Sequence, residues 1–166
     1  MQEYKYTYSL VIPVYNSANS LPKLVDEIEK ALNGKSYQVI FINDSSVDNS
    51  WEVLMELKAK SKATMVLVGL AHNSGQHAAL YCGLMYAEGN YIVALDDDLQ
   101  HKPSEIIKLK ECLEQENADL VYGIYEQKKH GIVRNVGSRL FAAIVNKFAS
   151  TPLKGSSFKL IHASLI

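Results

Sequence analysis

The sequence predicts an α/β fold with a mostly parallel central sheet and helices on both faces. Two observations support this prediction. Short apolar runs of strand length alternate with segments of 10 to 15 residues whose apolar positions recur at helical spacing, which is typical of βαβ units. Each predicted strand also ends in a polar stretch, as expected where a buried strand leaves the sheet. The 166 residues are enough for one domain with a full core.

The first part of the chain contains three predicted strands, at residues 8–14, 37–43 and 64–70. Pro13 cannot donate to a ladder, so we expect the first strand to loosen there. Ser20 is the predicted N-cap of a helix that closes at Gly34, and a second helix begins near Trp51. A third helix is predicted over residues 76–88, stopped by Gly89 and Asn90.

The next part of the chain begins with a fourth strand that ends in three consecutive aspartates. This strand covers residues 91–95, and a helix over residues 103–115 and a fifth strand over residues 119–125 follow. The loop at 126–131 is polar and basic, and apolar residues then recur at helical spacing from 133 to 148. This last helix is either an ordinary amphipathic helix or an element that faces an acceptor or a membrane.

The three aspartates Asp96, Asp97 and Asp98 point to a cation site. Adjacent carboxylates repel one another, and a divalent cation commonly compensates their charge. Mg²⁺ prefers oxygen ligands and is often held by one or two carboxylates together with phosphate oxygens. The alternative for the triplet alone is a solvated acidic turn.

The topology predicts that four polar stretches meet at one edge of the sheet. In parallel α/β sheets, ligands bind beyond the carboxyl ends of the strands at a switch in strand order. The stretches that follow strands are residues 13–16, 43–48, 72–76 and 96–100. Within the second of them, Asp44 could accept a hydrogen bond from a base N–H or a ribose hydroxyl, or serve as a structural turn residue.

The net charge, the missing motifs and the length of the apolar runs argue against several classes of function. The net charge of −1 argues against a nucleic-acid partner bound through bulk electrostatics. The sequence has no Gly-x-Gly-x-x-Gly dinucleotide motif and no P-loop motif. A carboxylate cluster without a glycine-rich phosphate loop therefore favours a nucleoside diphosphate held through a metal ion. No apolar run reaches the length of about 18 residues that a membrane span requires.

Several motifs occur in the order found in a known family. The chain resembles the family 2 glycosyltransferases of the GT-A fold, and the Asp-x-Asp-Leu-Gln form of its acidic motif is most similar to their polyprenyl-phosphate branch, which includes dolichol-phosphate mannose synthases. The motifs are 11–17, 43–50, 73–76, 96–103, the Arg134 and Arg139 pair, and 157–160. The resemblance implies a Rossmann-like three-layer sandwich.

The resemblance also implies roles for individual residues. Pro13, Tyr15, Asn16 and Asp44 would line the nucleoside pocket, which Gly75 and Gln76 would close. Asp96 would lie near the ribose or the metal, with Asp97 beside the nucleotide, and Asp98 and Gln100 would coordinate Mg²⁺ or Mn²⁺. The residues implied for the donor diphosphate and the acceptor phosphate are Lys128, Lys129, Arg134 and Arg139, and Asp98 and the two arginines are the implied catalytic residues.

Three positions depart from the family pattern. Ser45 stands where the family commonly has Gly, Asp97 where the branch often has Ala, and Lys102 where Pro is frequent. None of these departures removes a proposed ligand, although Asp97 adds a negative charge near the metal.

The implied activity is metal-dependent, inverting transfer of a sugar from a nucleoside-diphosphate sugar to polyprenyl phosphate. We favour a UDP-sugar as donor, with GDP-mannose as the alternative. An ionised phosphate acceptor needs cations rather than a carboxylate base, which agrees with the basic loop at 126–131. The alternatives are a family 2 transferase that extends a surface polysaccharide and a sugar-nucleotide-binding module without catalysis.

We divide the chain into a nucleotide-sugar-binding core at 1–125 and an acceptor-side segment of the same domain at 126–166. We expect this sequence to be a soluble piece of a longer protein, because it ends on apolar residues without a polar tail. In the branch it resembles, membrane helices commonly follow the catalytic domain, so the intact protein is expected at the cytoplasmic face of a membrane. The sequence carries no signal for an oligomeric state.

Overall fold

The computed structural model describes residues 4–123 and 157–165. Within them the chain alternates strands and helices as predicted. The strands are β1 (Tyr6–Val14), β2 (Tyr37–Asn43), β3 (Thr64–Gly69), β4 (Gly89–Ala94), β5 (Leu120–Tyr122) and β6 (Lys159–His162). The α-helices are α1 (Leu21–Ala31), α2 (Ser50–Lys60), α3 (Gln76–Leu84) and α4 (Ile106–Gln115). Short 3₁₀ turns occupy Pro103–Glu105 and Ala163–Leu165.

The described strands form one mostly parallel sheet in the order β3-β2-β1-β4-β6-β5. β1 pairs in parallel with β2 and β4, and β2 pairs in parallel with β3. The strand order switches direction beside β1, because the chain first adds β2 and β3 on one side and then β4 on the other. This is the kind of switch point at which α/β sheets bind ligands.

Both faces of the sheet are covered by helices, which confirms the predicted layers. Successive side chains of a strand point to opposite faces. Leu10 and Ile12 of β1 accordingly pack in one cluster with buried residues of α1, α2 and α4. Val11 packs in a second cluster with Ile40, Ile42 and Ala79, and the last of these residues belongs to α3.

Pro13 does not loosen β1, contrary to our expectation. β1 stays paired with β2 as far as Val14. The carbonyl of Val11 accepts from the Leu95 N–H, so the backbone N–H and C=O groups of residue 11 point toward β4. Those of residue 13, two positions further along the strand, point to the same side. The pairing with β4 ends at Val11 and Ala94. The backbone nitrogen of Pro13 therefore points to the side where the pairing of β1 with β4 has already ended, and its lack of an N–H costs no hydrogen bond.

Helix α3 ends at Leu84, before the predicted end at residue 88, and Gly89 begins β4 instead of stopping the helix. The hydroxyl oxygen of Ser9 accepts from the backbone N–H groups of Glu88 (3.2 Å) and Gly89 (2.8 Å). A Cβ atom on Gly89 would lie 2.7 Å from the backbone nitrogen of Ser9. Glycine at this position reflects close strand packing, which a sequence pattern does not distinguish from a helix stop.

The segment after residue 156 adds a strand that the sequence did not predict. β6 lies between β4 and β5 and is antiparallel to both. Residues 157–165 thus belong to the same compact unit as residues 4–123. The division at residue 125 stays a prediction, and residues 126–156 with their predicted helix lie outside the described residues. Across residues 4–123 and 157–165, the structure contains no helix with the length and apolar character needed to cross a bilayer.

Candidate active site

Hydrogen bonds connect the polar loops at the carboxyl ends of β1, β2, β3 and β4. Tyr15 N donates to Asp97 Oδ2 (3.2 Å), which joins the loop after β1 to the loop after β4. Gln76 Nε2 donates to Asp96 Oδ1 (2.5 Å), which joins the loop after β3 to the loop after β4. The four stretches that the topology assigned to one edge therefore do converge there.

The loops after β1 and β2 are connected through Asn16. Its backbone N–H donates to Ser46 Oγ (3.0 Å), and its side-chain oxygen accepts from the Val47 N–H (2.8 Å). Ser46 Oγ in turn donates to Asn43 Oδ1 (2.5 Å). The backbone at Asn16 (φ 55°) and Ser45 (φ 57°) is left-handed. Such residues cluster at functional sites, where the surrounding contacts maintain them.

Asp44 is a buried carboxylate that holds the loop after β3. Its side chain is 3% exposed. Oδ1 accepts from the Ser74 N–H (2.7 Å) and Oδ2 from the Gly75 N–H (2.8 Å). Gly75 has φ 86°, a conformation that favours glycine. The structural role considered for Asp44 is therefore real, and its remaining lone pairs are the ones available to a ligand.

Asp48 connects the starts of the first two helices. Its Oδ2 accepts from the Ala18 N–H (3.1 Å), and its Oδ1 accepts from the Ser50 N–H (3.0 Å) and hydroxyl (2.5 Å). Burial acts to raise the pKa of Asp48, but these hydrogen bonds stabilise the carboxylate and together lower its pKa below the ordinary 3.8. The Asp48 contacts fix the two loops on which Asn16 and Asp44 lie.

Both oxygens of Asp96 are engaged by neighbouring side chains. Oδ1 accepts from Gln76, and Oδ2 accepts from the hydroxyl of Ser157. Ser157 lies two residues before the first residue of β6. Ser157 was not among the predicted site residues. The sequence signal that points to Ser157 is the motif at 157–160, which is one of the motifs shared with the family.

Asp97 and Asp98 have different environments. Burial raises the pKa of Asp97, the negative charge on Asp98 adds to this shift, and hydrogen bonds from Ser17 and the Tyr15 backbone oppose it. Asp98 is exposed. Its carboxylate accepts from the Gln100 N–H (2.9 Å) and from Gln100 Nε2 (2.6 Å). Asp98 is therefore a solvent-accessible carboxylate beside the side-chain amide of Gln100, whose oxygen could also bind a cation.

The donor set agrees with a hard divalent cation that also binds its substrate. Across the described part of the chain, no three His, Cys, Asp or Glu side chains lie close enough together to bind a metal ion by themselves. Asp98 and the side-chain amide oxygen of Gln100 could supply oxygen ligands, the kind that Mg²⁺ and Mn²⁺ prefer, and would leave coordination positions for phosphate oxygens or water.

The loop after Asp98 is fixed by an aromatic contact to Phe158, the residue just before β6. The rings of His101 and Phe158 stack with centroids 4.9 Å apart and an interplanar angle of 22°. Phe158 is fully buried, and a Cβ atom on Gly123 would lie 2.2 Å from its Cδ1. The Phe158 ring therefore lies directly against the backbone at the end of β5.

The structure locates only some of the predicted residues. Pro13, Tyr15, Asn16 and Asp44 lie with Gly75, Gln76 and the acidic triplet at one edge of the sheet, and the contacts above show which of them touch. The predicted phosphate-binding residues Lys128, Lys129, Arg134 and Arg139 lie outside the described residues.

A mostly parallel sheet with this strand order, an acidic motif at the end of β4 and a carboxylate at the end of β2 is the arrangement of the GT-A glycosyltransferase fold. Solved structures share the fold. A mannosyltransferase from Pyrobaculum calidifontis, solved with GDP-mannose and Mn²⁺, matches with a TM-score of 0.72 and 19% identity over 98% of this chain and 46% of that one. Glucosyl-3-phosphoglycerate synthase from Mycobacterium tuberculosis, solved with Mn²⁺ and UDP, matches with a TM-score of 0.70 and 21% identity over 96% of this chain and 58% of that one.

The sequence comparisons identify the family. The model of glycosyl transferase family 2 matches residues 9–163, and the chain belongs to this family. A curated relative, the undecaprenyl-phosphate 4-deoxy-4-formamido-L-arabinose transferase of Edwardsiella ictaluri, is 35% identical over 141 residues, which are 84% of this chain and 43% of that protein. The chain therefore spans less than half the length of this relative.

Proposed function

We propose that the protein transfers a sugar from a nucleoside-diphosphate sugar to polyprenyl phosphate, with inversion and with a divalent cation. The observation that carries the proposal is the network at the switch point of the sheet. It brings Asp44, Asp96 and Asp98 to one edge, where the first two hold neighbouring loops and the third is exposed. Such an arrangement suits a ligand that has a nucleoside at one end and a diphosphate at the other.

The nucleoside would bind between the loops after β1, β2 and β3. Pro13, Tyr15 and Asn16 form one side, Asp44 forms the base of the pocket, and Gly75 with Gln76 closes it. Asp44 would accept from the base or the ribose through lone pairs that its bonds to Ser74 and Gly75 leave available. We favour UDP over GDP, and the solved structures of this fold include complexes with each kind of nucleotide.

The cation would be held by Asp98 and Gln100, with Asp96 beside the ribose or the metal. When bound, Mg²⁺ or Mn²⁺ neutralises the charge that develops on the departing nucleoside diphosphate. The chain itself supplies the position of the ligands: Gln100 fixes the rotamer of Asp98 through two hydrogen bonds, and Tyr15 fixes the loop through Asp97. Asp97 would lie beside the nucleotide and add negative charge that the cation would offset.

The proposed acceptor is a lipid phosphate. The curated relative with 35% identity is named as a transferase for undecaprenyl phosphate. Lys128, Lys129, Arg134 and Arg139 would hold the acceptor phosphate and stabilise the donor diphosphate. A phosphate monoester is mostly ionised at neutral pH, so its oxygen attacks without a carboxylate base. The intact protein would then work at the cytoplasmic face of a membrane, where its acceptor is anchored.

The test uses the full-length protein in detergent or vesicles with a short-chain polyprenyl phosphate and a panel of UDP- and GDP-sugars. We expect a glycosylated lipid phosphate that depends on Mg²⁺ or Mn²⁺, and a loss of at least about 100-fold in kcat for Asp98→Asn. Asp26→Asn, on the exposed surface of α1, is the matched control and should retain full activity.

Three outcomes would contradict the proposal. Transfer to a sugar acceptor without transfer to lipid phosphate would identify a polysaccharide-extending transferase. Tight donor binding without turnover on any acceptor would identify a binding module. Activity of Asp98→Asn equal to that of the wild type would remove the metal assignment.

A further inference from the structure

We infer that Ser157 is a positioning residue for the transfer reaction, which it serves by fixing the carboxylate of Asp96. This inference rests on the proposed function, because it concerns how the nucleotide-binding carboxylate is oriented. The observation behind it is the hydrogen bond from the Ser157 hydroxyl to Asp96 Oδ2. The donor comes from a part of the chain 61 residues away from the acceptor.

The register of the sheet sets the position of this contact. β4 and β6 are antiparallel, and Ala94 pairs with Lys159. Extending this register by two residues on each strand places Asp96 opposite Ser157. Side chains directly opposite each other in an antiparallel pair have Cβ atoms about 5 Å apart, which is within reach of a short hydroxyl and a carboxylate. The contact is therefore a cross-strand pair that lies just beyond the last residue of β4 and just before the first residue of β6.

The residue after Ser157 holds its backbone in place. Phe158 is fully buried, stacks on His101 and packs against Gly123. Its carbonyl also accepts from the Gly123 N–H (2.9 Å). His101 lies three residues after Asp98 in the same loop, so the Phe158 side chain connects the loop that carries Asp96 to the backbone just after β5. Ser157 has little freedom to move away from its partner.

Asp96 is held from two sides as a result. Gln76 donates to Oδ1 from the start of α3, while Ser157 donates to Oδ2 from two residues before β6. Two donors on the two oxygens fix both the rotamer and the plane of the carboxylate. Each oxygen keeps a second lone pair, so the carboxylate can still accept from a ribose hydroxyl or bind a cation. Preorganisation of this kind lowers the ordering cost that binding would otherwise incur.

The first experiment compares Ser157→Ala, Ser157→Thr and Ser164→Ala in the full-length protein. Ser164 lies in the same segment, is exposed, and bonds to His162 rather than to the site, so its variant is the matched control. We expect Ser157→Ala to raise the KM for the donor sugar nucleotide roughly 10-fold, the value for one lost hydrogen bond to a charged group, while the KM for lipid phosphate stays within about twofold. Ser157→Thr keeps the hydroxyl and should restore most of the donor affinity.

The second experiment is a double-mutant cycle on the Kd of the nucleoside diphosphate in the presence of Mn²⁺. Ser157→Ala, Asp96→Asn and the double variant should be non-additive, with the serine change having less than about a twofold effect once the aspartate is replaced. This readout needs no acceptor. A wild-type protein that binds the nucleotide but does not glycosylate a lipid phosphate would therefore refute the proposed acceptor and leave the role of Ser157 open to the same cycle.

Two results would overturn the inference. One is a Ser157→Ala protein whose donor KM and nucleotide Kd lie within about twofold of the wild type. The other is strictly additive effects in the cycle, which would show that the serine does not act through Asp96. If Ser157→Ala fails to fold, Ser157→Cys, which has nearly the same shape and is a weak donor, replaces it under the same criteria.

Discussion

Replacing Asp44 with asparagine tests how the loop after β3 is held in place. The carboxylate is 3% exposed and uses one oxygen for the Ser74 N–H (2.7 Å) and the other for the Gly75 N–H (2.8 Å). Asparagine has nearly the same shape but only one side-chain oxygen. Whichever way its amide is oriented, an NH₂ group must face one of the two backbone N–H groups.

The magnitude follows from these two contacts. Losing one hydrogen bond to a charged group costs about 1.5–3 kcal/mol, and the remaining bond becomes a weaker neutral one. We therefore expect Asp44→Asn to lower the free energy of unfolding by about 3 kcal/mol. For a chain of this length, that corresponds to a fall in Tm of roughly 6–12 °C.

Urea denaturation followed by circular dichroism measures this change directly. Asp26→Asn is the control, because Asp26 pairs with Lys30 (2.5 Å) at the exposed surface of α1 and its loss should cost less than about 1 kcal/mol. A midpoint for Asp44→Asn as high as that of Asp26→Asn, at an unchanged m-value, would refute the idea that this carboxylate holds the loop.

Three further predictions concern stability. Ser45→Gly should raise the free energy of unfolding by about 0.5–1 kcal/mol in the same assay, because glycine adopts φ 57° without the penalty of a side chain; a loss of stability would contradict this. Gly123→Ala should cost about 1–3 kcal/mol, because its Cβ would lie 2.2 Å from Cδ1 of Phe158; an unchanged Tm would show that the ring can move at no cost. In the fold, burial acts to raise the pKa of Asp48, but hydrogen bonds that include those from Ser50 outweigh burial and lower this pKa. The stabilisation that the Asp48 carboxylate provides is therefore present above about pH 3.8 and is lost as the pH falls through the folded-state pKa. The stability difference between the wild type and Asp48→Asn should therefore be present at neutral pH and vanish in acid, and a difference independent of pH would be contrary evidence.

The sequence was sufficient for the elements whose signal is local. The alternation of apolar runs and helical spacing predicts β1 to β4, and the βαβ connections predict that the sheet is mostly parallel. The same logic predicts that the four strand-end loops meet at one edge of the sheet. It works because parallel strands present their carboxyl ends at one edge, whatever the detailed packing.

The sequence was insufficient where a distant contact decides the structure. β6 is a short strand of four residues, and nothing in its own pattern indicates that it inserts between β4 and β5. The contact between Ser157 and Asp96 depends on that insertion and was therefore missed. Gly89 was misassigned for the same reason, because its role is set by the close approach of Ser9 in a neighbouring strand.

The neighbouring positions of β5 and β6 have a consequence for how this fold can diversify. The described part of the chain stops at Gly123 and resumes at Ser157, and the Gly123 N–H donates to the carbonyl of Phe158 at 2.9 Å. The two attachment points thus stand side by side. For any flexible connection between two such points, the entropic cost of closure grows by only about 0.6 kcal/mol for each doubling of its length. We therefore expect the chain between these two points to tolerate changes of length at little cost to the pairing of β4, β5 and β6.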